Sequence, residues 1–265
     1  MRKSILTIIV ILIAAAVNGQ IVVTRSAVPQ LLIPAAGAQQ GGGNTFFRSD
    51  ITLINYRGVD QRVRLQWLPQ GVTGAGVSPV DITINAASGI ASEDFVTDVM
   101  QQTGLGAILV TGIDGTGAPD PSALLVATSR IWTPEQGSSG TESQSLPSIA
   151  TTDISSGLVS ILGARRDVRY RTNTGIVNLS STPQTFQVTV GGSFGTETHQ
   201  VSVAAMSMTL VAVTGSSSTI PLQINVVDLG PPPRTTFWVA YASSVDNITG
   251  DAWTMLGFNT GPPPP

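Results

Sequence analysis

One stretch of this chain occurs twice. Residues 46–67 (FFRSDITLINYRGVDQRVRLQW) and 169–190 (RYRTNTGIVNLSSTPQTFQVTV) align without a gap at an offset of 123. Phe47 falls on Tyr170, Arg48 on Arg171, Asp50 on Asn173, Leu53 on Ile176 and Asn55 on Asn178. Self-similarity at a fixed offset restricts the fold to two copies of one plan. In the first copy Val63, Leu65 and Trp67 alternate with Arg62, Arg64 and Gln66; in the second Phe186, Val188 and Val190 alternate with Thr185, Gln187 and Thr189. A period of two marks a half-buried antiparallel strand. Asn55–Gly58 and Asn178–Ser181 read as turns, so each unit is expected to open with a strand–turn–strand hairpin.

Looser matches follow. Asp81–Ile84 resembles Gln200–Val203, and Val126–Ala127 resembles Val239–Ala240. One helix is predicted, in the first copy: Ser92 caps it, Glu93 and Asp94 suit its first turn, Phe95, Val96, Val99 and Met100 form its apolar stripe, and Gly104 ends it. The second copy has Gly215–Thr219 there and no helix is expected. Gly37–Asn44 reads as a flexible lead-in and Thr133–Gln144 as the connection between units. The Pro231–Pro233 run and the closing Pro262–Pro265 read as extended. The expected organisation is therefore a leader at 1–19, a first β-sandwich unit at 20–133, a linker at 134–144 and a second unit at 145–265. With 42% apolar residues, 28 Gly and 17 Pro, the fold class is all-β: two tandem Ig-like antiparallel sandwiches, with one short helix in the first.

Arg2 and Lys3 precede a 13-residue run, Ile5–Val17, apolar except for Thr7, and Val17 and Gly19 supply small residues for cleavage. That is the pattern of an export signal. The run is short of the roughly 20 residues of a bilayer span, and no later segment reaches that length, so the expected location is secreted or periplasmic, without a membrane span once the leader is cleaved. Cleavage takes the net charge from −3 to −5 and removes the only lysine. A negative chain lacks the basic stripe of a nucleic-acid binder. Without cysteine there is no disulfide framework and no thiolate metal site.

Four segments carry a family likeness: Phe46–Asn55, the Ser88–Gly89 to Asp94–Val96 to Gly106–Leu109 stretch, Tyr170–Asn178, and Tyr241–Asp251. On these the chain resembles a family of uncharacterised secreted bacterial proteins, frequent in acidobacteria-like genomes, built of two tandem β-sandwich units. The resemblance implies export and a pair of Ig-like sandwiches, and carries no activity with it.

Candidate site residues are few. The single histidine, His199, reads as an ordinary exposed strand residue, and the Gly191–Gly195 match to G-x-S-x-G reads as a hairpin turn, because strands rather than a strand and a helix flank it. Arg48 and Arg171 recur seven residues before Asn55 and Asn178. They offer either a repeated anion or glycan contact or, as repetition favours, a fold role, with each Asn bonding the turn that follows it. Asp246, Asn247 and Asp251 place oxygen ligands in one turn that calcium could use, though without the spacing of a calcium loop; no other cofactor is indicated. Trp132, Trp238 and Trp253 are the aromatic platform a glycan binder would need, with packing the alternative for each. The favoured function is a non-enzymatic secreted or cell-envelope protein that binds a protein or surface partner, or its own copies, through sandwich edges. A carbohydrate-binding module using exposed Trp and Arg is the alternative, and a hydrolase with an unrecognised carboxylate pair a weaker one.

Overall fold

Val, Ile, Leu and Thr alternating with polar residues give strands, and strands with one apolar face must bury it against another sheet. The computed structural model describes residues 26–261 apart from 43–44, 136, 138, 155–156, 193–194, 215–217 and 231–236; the expected leader and both proline runs lie outside the described residues. The first unit comprises β1 (Gln30–Gln40), β2 (Phe46–Asn55), β3 (Gln61–Pro69), β4 (Val80–Ile84), β5 (Ser88–Ser92), α1 (Phe95–Asp98), β6 (Gly104–Ile113), β7 (Leu125–Pro134), β8 (Thr141–Pro147) and β9 (Ile149–Ala150). The second comprises β10 (Val159–Arg166), β11 (Tyr170–Asn178), β12 (Gln184–Gly192), β13 (Gly195–Val203), β14 (Ser207–Ala212), β15 (Ser218–Asp228), β16 (Trp238–Asp246), β17 (Ala252–Leu256) and β18 (Phe258–Asn259).

Strand for strand the two units share one topology. Sheet I has the order β5-β2-β7-β8 and sheet II β4-β3-β6-β1-β9, joined at a corner by Gln39–Phe47 and Gln40–Phe46. Sheet III has the order β14-β11-β16-β17 and sheet IV β13-β12-β15-β10-β18. Adding nine to each strand number of sheets I and II reproduces III and IV. Register agrees as well: Asn55 faces Leu125 and Asn178 faces Trp238, which puts Val126–Ala127 and Val239–Ala240 in equal places. An immunoglobulin domain sets A-B-E-D against C-F-G. Here β2–β5 and β3–β6 pair as B–E and C–F do, but β1 takes the place of G and β7 that of A, so the terminal strands are exchanged relative to the expected Ig-like order.

The repeated stretch is not a hairpin. β2 and β3 lie in different sheets, as do β11 and β12, so Tyr56–Asp60 arches from one sheet to the other. The reason is visible in burial: Ile51 and Leu53 of β2 and Val63, Leu65 and Trp67 of β3 face one another across the same core. Asn55, with no exposed surface, fastens the arch. Its Nδ2 donates to the carbonyls of Val59 (2.8 Å), Ile84 (3.3 Å) and Asn85 (3.1 Å), and its Oδ1 accepts from Arg57 N at 2.9 Å. Asn178 repeats this with Thr182, Val203, Ala204 and Ser180 N.

Three apolar cores stack between four sheets. The first lies between sheets I and II around Leu31, Ile33, Leu65 and Trp67, and the second between III and IV around Ile161, Phe186, Ile224 and Trp238. The third, built from Leu32, Leu68, Ala107, Val177, Met208, Val239 and Tyr241, joins sheet II to sheet III. It makes the inner strands apolar on both faces, and β1 is buried from Leu31 to Ala38. Pro34 survives in that central strand because the register shifts there, between Ile33 and Ala36, where a missing N–H leaves no ladder bond broken. Tyr241 lies over Gly175 of the neighbouring strand, where a Cβ would come within 2.1 Å of its ring. Full burial raises the pKa of its phenol well above the usual tyrosine range.

Polar contacts clamp the same seam. Gly71 N donates to Met208 O (2.9 Å), Gly74 N to Ala205 O (3.1 Å), and Ser207 Oγ to Pro69 O (2.8 Å). On the other side Gln144 of β8 bonds Thr254 and Ser243 at 2.8 Å each. Thr133–Gln144 is thus not a tether between units: it supplies the end of β7 and the start of β8, paired through Thr133–Glu142. A Ser/Thr/Gln edge strand and a flexible linker have the same composition, which is why composition misassigned it. The passage between units runs instead through a short 3-10 turn, Thr151–Asp153, after β9. Gly37–Gln40, read as part of the lead-in, belongs to β1, with Gly37 N donating to the buried Ser49 Oγ at 2.6 Å.

Candidate functional site

Each candidate residue has a definite place. Arg48 stands on the outer face of sheet I between two rings, its guanidinium carbon 4.9 Å from the Phe46 centroid and 5.7 Å from that of Trp132, while Nε reaches Asp94 at 3.3 Å. Trp132 is half-buried, with Arg130 over its ring at 5.9 Å and its Nε1 donating to Glu93 O at 2.9 Å. Both side chains therefore hold α1 and the segment before it against the sheet. That segment is shorter than the sequence suggests, a single turn from Phe95 to Asp98, but Ser92 Oγ does accept from Asp94 N and donates to Asp98 Oδ2 at 2.7 Å. Phe95, Val96 and Met100 are buried in the first core.

Arg171 donates to Asn247 Oδ1 at 2.7 Å and so ties the turn that follows β16. The repeated arginines share a task, pinning a connection to the sheet face, by different partners. In the same turn Asp246 is 4% exposed, with Oδ2 accepting from Arg169 Nε at 2.8 Å and Oδ1 from Ile248 N at 2.8 Å. Asn247 Nδ2 donates to Val168 O, and Asp251 O accepts from Asp246 N. The side chains of Asp246 and Asn247 are thus committed to turn and cation contacts, Asp251 joins the turn through its backbone, and among the described residues no group of three or more His, Asp or Glu converges on one point. The backbone bond from Ile248, followed by the Arg169 contact, holds the Asp246 carboxyl below the usual aspartate range against the opposing effect of desolvation. A depressed folded pKa gives stability that is present above the unfolded value of about 3.9 and lost as pH falls through the folded value. Asp246→Asn is therefore expected to destabilise the protein at pH 7, with its gap from wild type closing below about pH 4, as urea unfolding at both pH values would measure.

His199 departs from its reading as an exposed strand residue. It is half-buried on the inward side of β13, its Nε2 against Glu197 Oε1, while Thr214 Oγ1 donates to that same oxygen at 2.6 Å. Burial works to raise the Glu197 pKa, but the bonds from Thr214 and His199 outweigh it and leave the group below its usual value. The acid sits between the Thr214 hydroxyl and the imidazole, and among the described residues no hydroxyl bonds the imidazole directly. Gly192 pairs with Gly195, so the G-x-S-x-G match spans a tight β-hairpin; Ser193 lies outside the described residues.

The three tryptophans separate. Trp238 is 1% exposed in the second core, its ring 5.0 Å from Phe186, so it offers no surface platform. Trp253 is half-exposed and meets Tyr170 edge-on at 5.6 Å, with Arg165 and Arg169 each 5.4 Å from the Tyr170 centroid.

Sequence reasoning missed a cavity of about 760 Å³ where the units meet, at the ends of β7, β9, β16 and β18. Its walls include Leu31, Ala127, Ile149, Val159 and Leu256, with Trp238 among the lining residues. Trp238 Nε1 is buried, with no hydrogen-bond partner among the described residues. Residues from both copies line it, so no single motif could have announced it. No family model and no curated protein matches the chain.

Proposed function

We propose that the chain is an exported, non-enzymatic interaction protein of the cell envelope or extracellular space, of the kind its motifs resemble, which acts by strand pairing at a sheet edge. The observation that carries this reading is β13. It is the outermost strand of sheet IV, pairs only with β12 among the described residues, and runs for nine residues. Long open edges are pairing templates. Thr196, Thr198, Gln200 and Ser202 are exposed along its outer face and carry no charge, so a partner strand gains backbone hydrogen bonds without desolvating an ion.

The matching edge of the first unit is different. β4 carries Asp81, bonded by Arg64 at 2.8 Å beside Arg62, and charges of this kind blunt an edge. One open edge and one blunted edge favour a closed two-fold dimer through β13 over a growing fibre. Light scattering of the chain without its leader is expected to give a dimer at micromolar concentration, and a monomer for the double variant Thr198→Lys/Gln200→Lys, which sets like charges across the joint. A wild type that stays monomeric at every concentration overturns self-pairing.

Carbohydrate binding is the second reading. It narrows to Trp253, edge-on to Tyr170 with Arg165 and Arg169 over the Tyr170 ring, since Trp238 is buried and Trp132 is engaged by Arg48, Arg130 and Glu93 O. Equal retention of wild type and Trp253→Ala on insoluble polysaccharides would remove it.

A further inference from the structure

We infer that one end of the second sandwich docks on a phospholipid bilayer of net negative charge. Two turns form that end, residues 167–169 between β10 and β11 and residues 247–251 between β16 and β17. This stands apart from the edge-pairing reading. Exposure is the first observation. Val168 is 96% exposed and Ile248 78%, the two highest values among the large apolar side chains of the described residues. Single exposed apolar residues are ordinary, but these two stand on adjoining turns: Asn247 N donates to Arg169 O at 2.7 Å and Asn247 Nδ2 to Val168 O at 3.4 Å. Charge is the second. All five described arginines of the first unit pair with a carboxylate, whereas of the four described in the second only Arg169 does. Every Asp and Glu of the chain is among the described residues, so no other segment can supply the partners that Arg165 and Arg171 lack. At this end Arg165, Arg169 and Arg171 are exposed against Asp251 alone; Arg166, Asp167 and Glu142 are half-buried and Asp246 is buried. An anionic surface attracts such a face. The third is layering. Inward from the aliphatic tips come the exposed guanidiniums, Arg165 over the Tyr170 ring at 5.4 Å and Arg171 donating to Asn247 Oδ1 at 2.7 Å, with the Tyr170–Trp253 pair at the starts of β11 and β17. Aliphatic tip, then cation and amphipathic ring, is the order in which a bilayer receives a protein, acyl chains deepest and phosphates above them. Tips exposed this far suit a fluid surface, whereas a protein partner would have to supply a pocket for each.

The test uses residues 20–265 and sedimentation with vesicles of phosphatidylcholine, alone or mixed with phosphatidylglycerol. The protein is expected to sediment with the mixed vesicles and to be released as salt is raised, because the surface potential that draws the cations is screened. Val168→Ser/Ile248→Ser, changed only at exposed positions, should weaken that binding about tenfold or more. Arg165→Gln/Arg171→Gln, with circular dichroism unchanged, should weaken it by about tenfold or more as well. The chain has no cysteine, so Val168→Cys takes a single polarity-sensitive dye. Its emission should shift to the blue on mixed vesicles and be quenched by lipid spin-labelled on the acyl chain, while the same dye at Tyr56→Cys, on the first unit, stays in water. Wild type that ignores both kinds of vesicle, equal binding to phosphatidylcholine alone, tip variants that bind like wild type, or a dye that responds no more at Val168 than at Tyr56 overturns the inference.

Discussion

Replacing Asn55 with alanine is expected to cost about 3 kcal/mol or more of folding stability, and Asn178→Ala a similar amount. Each side chain is fully buried and serves three carbonyls and one amide at the arch between sheets. Alanine leaves those backbone groups without partners and beyond the reach of water, which costs more than the bond itself is worth. Asn55→Asp should fare no better, since it points carboxylate oxygen at carbonyl oxygens where the amide donated. Urea unfolding of the three variants against wild type measures this. A loss below about 1 kcal/mol for both alanine variants would mean that the arches are held by packing alone.

The second large effect is expected at the seam. Leu32 has no exposed surface and points into the third core, between sheets II and III, while its neighbours Leu31 and Ile33 point into the first. Leu32→Asp places an unpaired charge among Val177, Met208 and Tyr241, with an expected loss of about 3–5 kcal/mol. The loss should fall on coupling between units more than on either sandwich alone, so the variant's thermal transition should broaden or divide. A variant that unfolds as sharply as wild type at nearly the same temperature would mean the seam adds little.

The repeat made the duplicated architecture legible, because an offset of 123 with matched apolar periods leaves little room for two different plans. It also placed Asn55, Asn178, Arg48 and Arg171 at equivalent points, where each contacts a connection between strands. What periodicity could not supply was the partner of each strand. An alternating run states which face is buried, not whether the next run lies beside it or across the core, and so the arch resembled a hairpin. The inner layers had a signal of a different sort. Leu31–Ala36 and Trp238–Ala242 are apolar without alternation, the mark of strands covered on both faces. That pattern implies a third core, hence contact between units. The cavity at their junction stayed hidden, because its walls come from residues more than a hundred positions apart.

Two sandwiches that share a third core should behave as one body. Differential scanning calorimetry of residues 20–265 tests it most directly. One transition, with the calorimetric and van't Hoff enthalpies equal, is the result expected of a four-layer body. Two separate transitions, each with the enthalpy of roughly half the chain, would contradict it and return the protein to two sandwiches that fold apart.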